Sequence, residues 1–139
     1  MRWATCILAV FSYCNVSFAQ NSVEYRTCIQ NANTQLAINV CASEEVSRVD
    51  LELNEVYQKL QATTAKDPNT IVKITAAEKA WIAYRDAYLE AMYPAANKLA
   101  EYGSSFPAES NLLRVKLTQQ QIEALRQLLK QHGAQVVLR

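Results

Sequence analysis

The stretch VSRVDLELNEVYQKL, Val46–Leu60, places Val46, Val49, Leu53, Val56 and Leu60 at alternating steps of three and four. That spacing draws one apolar stripe down an α-helix. It predicts a long helix running from Thr34 to near Thr64. Upstream, Ser22 to Asn31 is expected to form a short helix, with Asn33-Thr34 as the turn and cap. Downstream, Asp67-Pro68 is a helix start, a capping carboxylate followed by a proline whose missing N–H costs nothing at that position. The helix it opens carries Ile71, Ile74, Glu78, Trp81, Arg85, Tyr88 and Met92 at the same alternating steps, so Glu78 and Arg85 interrupt an apolar stripe. Pro94 is expected to end or kink it. A last helix is predicted from about Pro107 to Gln131, with Leu112, Val115, Ile122, Leu125 and Leu129 on one side and Gly133 as its stop. Between these lies EYGSSFPAES, Glu101–Ser110, the most loop-like segment and the natural place for an exposed functional loop. No strand pattern or repeat competes. The expected fold is all-α: a small antiparallel bundle of three main helices plus a short N-terminal one.

Composition agrees with a packed core, since 50% of the 139 residues are apolar and only two are glycine and three proline. Residues 1–19 read differently. Arg2 precedes a short apolar run, Trp3 to Cys14, and Ser17-Phe18-Ala19 offers small residues at the positions a signal peptidase reads. The run falls short of the roughly 20 residues of a spanning helix, which favours a signal peptide over an anchor. Lipidation at Cys14 is disfavoured by bulky Tyr13 just before it. Residues 20–139 are then one exported domain, periplasmic or secreted. Of the four cysteines it keeps Cys28 and Cys41, an even count in an oxidising compartment, and the pair is expected to form a disulfide, the alternative being two buried thiols. The bond would staple the short helix to the first turns of the long one.

A formal net charge of +1 excludes a strongly basic nucleic-acid binder. From residue 20 to 65 acids predominate: Glu24, Glu44, Glu45, Asp50, Glu52 and Glu55 face Arg26, Arg48 and Lys59. Such a surface suits a basic protein partner, although the spacing of Glu44, Arg48, Glu52, Glu55 and Lys59 also describes an ordinary solvated face. In AWIAYRDAY, Ala80–Tyr88, neighbouring Arg85 and Asp86 point about 100° apart on a helix and are not expected to form one site. Arg85 instead lies one turn from Trp81 and two from Glu78, a structural polar cluster with a guanidinium over an indole. The one histidine, His132, the absence of a CxxC or zinc pattern and the absence of a glycine-rich phosphate loop leave no catalytic, metal or cofactor constellation.

The order Cys28-x12-Cys41, LELNEVYQKL (51–60), AAEKAWIAYRDAY (76–88) and LTQQQIEAL (117–125) resembles the LprI-like lysozyme-inhibitor family of exported or lipid-anchored bacterial proteins. The likeness is centred on Leu53, Asn54 and Tyr57, on Trp81, Arg85 and Asp86, and on Thr118. It implies a bacterial envelope binding protein with lysozyme as the leading partner, and a helical adaptor without inhibitory activity as the alternative. The motif residues are expected to be structural: Asn54 bonding across helices, Tyr57 and Trp81 filling the core, Arg85 meeting Glu78 or buried carbonyls. Contact with lysozyme is expected from the loop around Tyr102, Gly103, Ser104 and Ser105, equipped with hydroxyls and amides for a carboxylate-lined cleft. The chain departs from the family pattern in lacking a second cysteine pair, at Tyr88 and near Leu112 or Leu113. A Gly-Gly-Ser/Thr loop is reduced to Gly103-Ser104-Ser105, and Gln121 replaces an arginine three places after Thr118.

Overall fold

The computed structural model describes residues 21–137, so the expected signal peptide and its cleavage after Ala19 lie outside the described residues. Five helices and no strand are present among them: α1 (Val23–Asn31), α2 (Gln35–Thr63), α3 (Pro68–Met92), α4 (Lys98–Tyr102) and α5 (Phe106–Val137). The fold is all-α. No described helix is long and apolar enough to cross a membrane.

Four of the five helix starts are fixed by a short polar side chain that takes an otherwise unpaired backbone N–H. Ser22 accepts from the Tyr25 amide, Thr34 from Ala37, Asp67 from Thr70 and Asn97 from Ala100. α3 ends at Met92, two residues before Pro94, as proline sterics require. Two boundaries differ from expectation. α4 and the early start of α5 convert most of the anticipated Glu101–Ser110 loop into helix, leaving Gly103, Ser104 and Ser105 between them. α5 also runs through Gly133 to Val137. Gly133 has no neighbour that a Cβ would meet and no positive φ, so it is an ordinary helical residue here. An interior glycine costs a helix only about 1 kcal/mol, too little to stop one this long.

The chain runs up, down and up. The start of α2 meets the start of α5 where Asn39 bonds to Ser104, and Asp50 pairs with Arg114 further along, so α2 and α5 are parallel. α3 runs antiparallel to both, with Thr75 against Tyr57 and Glu78 against Gln121. The stripe that defined α2 is the core: Val49, Leu53, Val56 and Leu60 are buried against Val115, Ile122 and Leu125 of α5 and Ile74 of α3. α2 and α5 pack closely along their lengths, whereas α3 touches α5 at fewer places. The bulk and polarity of Glu78, Trp81 and Arg85 on its inward stripe account for that stand-off. A second cluster, Tyr25, Cys41, Ala42 and Ala108, seats α1 and is closed by the Cys28–Cys41 disulfide, Cα–Cα 5.7 Å. The staple therefore joins α1 to the first turns of α2 as the sequence implied.

Candidate functional site

Two places gather the residues singled out in the sequence. The first is the turn between α4 and α5. Gly103 has φ +76°, a left-handed conformation that glycine adopts without steric cost. Beneath the turn, Tyr93, Tyr102 and Phe106 form a trio of edge-on and tilted rings with centroids 5.1 to 5.8 Å apart. The Ala95 amide donates to the Tyr102 hydroxyl at 3.2 Å, and the Asn39 side chain donates to the Ser104 carbonyl at 3.0 Å. Tyr102 is thereby half-buried as an anchor, while Gly103 and Ser104 are exposed. Burial pushes the Tyr93 hydroxyl's pKa up, and nearby Glu109 and Tyr102 add to the shift, so Tyr93 is held in its neutral form. Around this end, Leu36, Val40 and Leu99 are exposed apolar side chains. Glu101 is exposed beside them. The anticipated loop is thus a short, rigidly mounted turn with an apolar and acidic surround.

The second place is a groove between α2 and α3 of about 400 Å³. Leu53, Asn54 and Tyr57 line it from α2 and Glu78, Trp81 and Arg85 from α3, so the two separate sequence motifs face one another. Asp50 and Lys79 complete its polar wall. Leu53 is buried, Tyr57 and Trp81 are half-buried and packed on the core, and Tyr57 donates its hydroxyl to Thr75 at 3.3 Å. Asn54 departs from expectation: it is exposed on the groove, and among the described residues no hydrogen bond carries it across to another helix. Asn54 lies one turn past Asp50, on a face that α3 does not cover closely.

Arg85 and Asp86 also correct the sequence reading. The guanidinium lies 5.1 Å from the Trp81 ring centroid, as expected, but its Nε and terminal nitrogen both reach the Asp86 carboxylate, at 2.8 and 2.7 Å. The helical offset separates the two Cβ directions; the length of an arginine side chain lets it curl back across that gap. Glu78, the partner expected for Arg85, instead accepts from Gln121 at 2.7 Å. Gln121 thereby fills a buried carboxylate's need as an amide. Thr118 is fully buried, its hydroxyl without a protein partner.

These placements set the cost of removing Arg85. Its side chain is 11% exposed but Asp86 is 58% exposed, so truncation leaves a carboxylate that water can solvate rather than a stranded buried charge. Arg85→Ala is expected to cost about 1 to 2 kcal/mol, from the lost cation–π contact and stem packing, well below the 3 to 5 kcal/mol of a broken buried pair. Equilibrium denaturation of Arg85→Ala checks this, and a loss above about 3 kcal/mol would show a deeper role.

One residue of consequence was missed by the sequence reading. Glu45, grouped there with solvated acids, is 1% exposed. It accepts from the Ser22 amide at 2.7 Å, the Ser22 hydroxyl at 2.6 Å and Arg48 Nε at 2.8 Å. It sits four residues before Val49 on the buried stripe, and that register was the available signal.

No described cluster of His, Cys, Asp and Glu has the makings of a metal site. The described residues thus form a small, disulfide-stapled, all-helical protein. The sequence model of the lysozyme inhibitor LprI family matches residues 27–125, from the disulfide-bearing helix to the last core leucine of α5. The chain belongs to that family. No curated protein and no solved structure matches it.

Proposed function

We propose that the chain is an exported, non-enzymatic envelope protein that binds lysozyme and inhibits it, with the α4–α5 turn as its point of contact. The observation that carries this reading is the family match over residues 27–125. The turn supports it physically. An inhibitor gains affinity when the inserted element is already ordered, because less conformational entropy is lost on binding. The ring trio and the bonds from Ala95 and Asn39 order this turn in advance. The exposed Leu36, Val40 and Leu99 supply apolar area beside it, and the exposed Glu24, Glu44 and Glu55 on α1 and α2 favour approach to a basic surface.

Binding kinetics on immobilised lysozyme test the assignment. Ser104→Trp is expected to raise the dissociation rate by about tenfold or more, equivalent to about 1.4 kcal/mol, with little change in association. Neutralising Glu24, Glu44 and Glu55 together is expected to slow association, and to do so more at low salt. Binding that neither change affects would remove the contact from this end of the molecule. An absence of binding by the wild-type protein would leave the alternative, a helical envelope adaptor.

A further inference from the structure

α3 turns Ile74, Glu78 and Arg85 inward, yet its outer face is apolar as well. Ala76, Ala80, Ala83, Ala87 and Ala91 are all exposed. At about 100° per residue they fall within roughly 80° of arc, a line along the helix opposite Glu78 and Arg85. One edge of that line carries Tyr84, 55% exposed, whose ring packs on Tyr88 with centroids 5.8 Å apart. A surface helix ordinarily sets charged residues on this side. A continuous apolar face with an aromatic edge instead marks a contact surface.

The charges on the other edge are ordered by sign along the helix. Lys79 lies toward the N-terminal end and forms no ion pair among the described residues. Asp86 and Glu90 lie toward the C-terminal end. Arg85 takes only Oδ1 of Asp86 and Lys98 only Oε2 of Glu90, and the two carboxylates stay 58% and 69% exposed. Each therefore keeps its second oxygen available to a further cation. This order selects the occupant. A parallel copy would set Lys79 on Lys79 and acid on acid, and a strongly basic or strongly acidic partner would meet like charge at one end. An antiparallel copy, related by a twofold axis between Ala83 and Tyr84, overlaps residues 75 to 92 of both chains. It sets Ala80 opposite Ala87 and brings Lys79 to the level of Tyr88, about 3 Å of axial rise from both Asp86 and Glu90 of the second copy. The two Tyr84 rings meet beside the axis.

We infer that the outer face of α3 is a self-association surface that pairs two copies of this chain antiparallel through the alanine line, with Lys79 of each copy meeting Asp86 and Glu90 of the other. The pairing rests on neither lysozyme nor the α4–α5 turn. Its overlap is about 27 Å long and one helix, about 10 Å, wide, less than the about 800 Å² per partner of a stable interface. The dimer is therefore weak and reversible.

Sedimentation equilibrium of the purified, oxidised protein over about 1 µM to 1 mM, the span that suits a weak interface, is expected to show monomer and dimer in exchange. Lys79→Glu should weaken the dimer by about tenfold or more, and adding Glu90→Lys should recover most of the loss. Crosslinking reads the geometry separately. Ala83→Cys, next to the axis, should join two copies through a short bismaleimide, whereas Ala76→Cys, about 22 Å along the axis from its counterpart, should not. All four substituted positions are exposed, and the disulfide-bonded Cys28 and Cys41 take no maleimide. Three results would overturn the inference: a monomer throughout the range, a dimer indifferent to Lys79→Glu, or Ala76→Cys crosslinking as readily as Ala83→Cys, the mark of a parallel pairing.

Discussion

Replacing Glu45 with alanine is expected to destabilise the protein by about 3 kcal/mol, the lower end of the cost of breaking a buried charged network. The carboxylate takes three bonds and ties the α1 cap to α2. Ser22 both caps α1, accepting from Tyr25, and donates its hydroxyl to Glu45, so one serine oxygen links the helix cap to the buried acid. Arg48, about a third exposed, makes the ion pair and moderates the penalty because water reaches part of it. Without Glu45 the Ser22 amide and the inner side of Arg48 lose their partner, and α1 retains the disulfide and the Tyr25 cluster as its hold on α2. Chemical denaturation measures the loss. The pH dependence follows from the same bonds. Burial pushes the Glu45 pKa up, but the bonds from Ser22 and the Arg48 charge outweigh it, and the carboxyl is held below its ordinary value. A depressed carboxyl stabilises the fold fully above the unfolded-state range, and that contribution is lost as pH falls through the lower folded value. The acid limb of the stability curve should therefore flatten in Glu45→Gln, which cannot take up the proton. An acid limb identical to wild type would place the acid sensitivity elsewhere.

Leu60→Ala is expected to cost about 3 to 4 kcal/mol. Leu60 has no exposed surface and belongs to the cluster with Val56, Ile74, Ile122 and Leu125, where α2, α3 and α5 converge. Truncating a leucine in such a place loses its transfer free energy and leaves a cavity that helices on several sides cannot close, within the general range of 2 to 5 kcal/mol. Leu51→Ala, on the same helix but 66% exposed, is the internal control and should change stability by less than about 0.5 kcal/mol. Thermal melts of the pair decide it. A loss below about 1 kcal/mol at Leu60 would mean that the convergence of the three helices is looser than described.

Much of this architecture was legible because it is written in local rules. Ser22, Thr34 and Asp67 cap helices for reasons contained within three residues, and the α2 stripe shows its buried face through spacing alone. The disulfide followed from the sequence reading that set residues 1–19 aside as an expected signal peptide and so kept Cys28 and Cys41 as a pair. The illegible parts depend on distance in the chain. Nothing within Leu53–Tyr57 says that it will face Trp81–Arg85 across a groove, since that depends on how far α3 stands from α2. α4 has five residues, too few to show a period, and so its segment read as loop. Gly133 read as a stop because its local preference is real; the helix continues because that preference is worth only about 1 kcal/mol. The Arg85–Asp86 pair was missed by reasoning from Cβ directions where side-chain length decides, and Glu45 by taking charge as a sign of exposure one turn before Val49 of the buried stripe.

The proposed inhibition of lysozyme rests on the family match over residues 27–125, and cell-wall hydrolysis reads it directly. With the purified, oxidised protein in molar excess over lysozyme, clearing of a bacterial cell-wall suspension should slow in a saturable, concentration-dependent way, and Ser104→Trp should recover much of the rate. Undiminished clearing at a large excess of folded, disulfide-bonded protein would contradict the account.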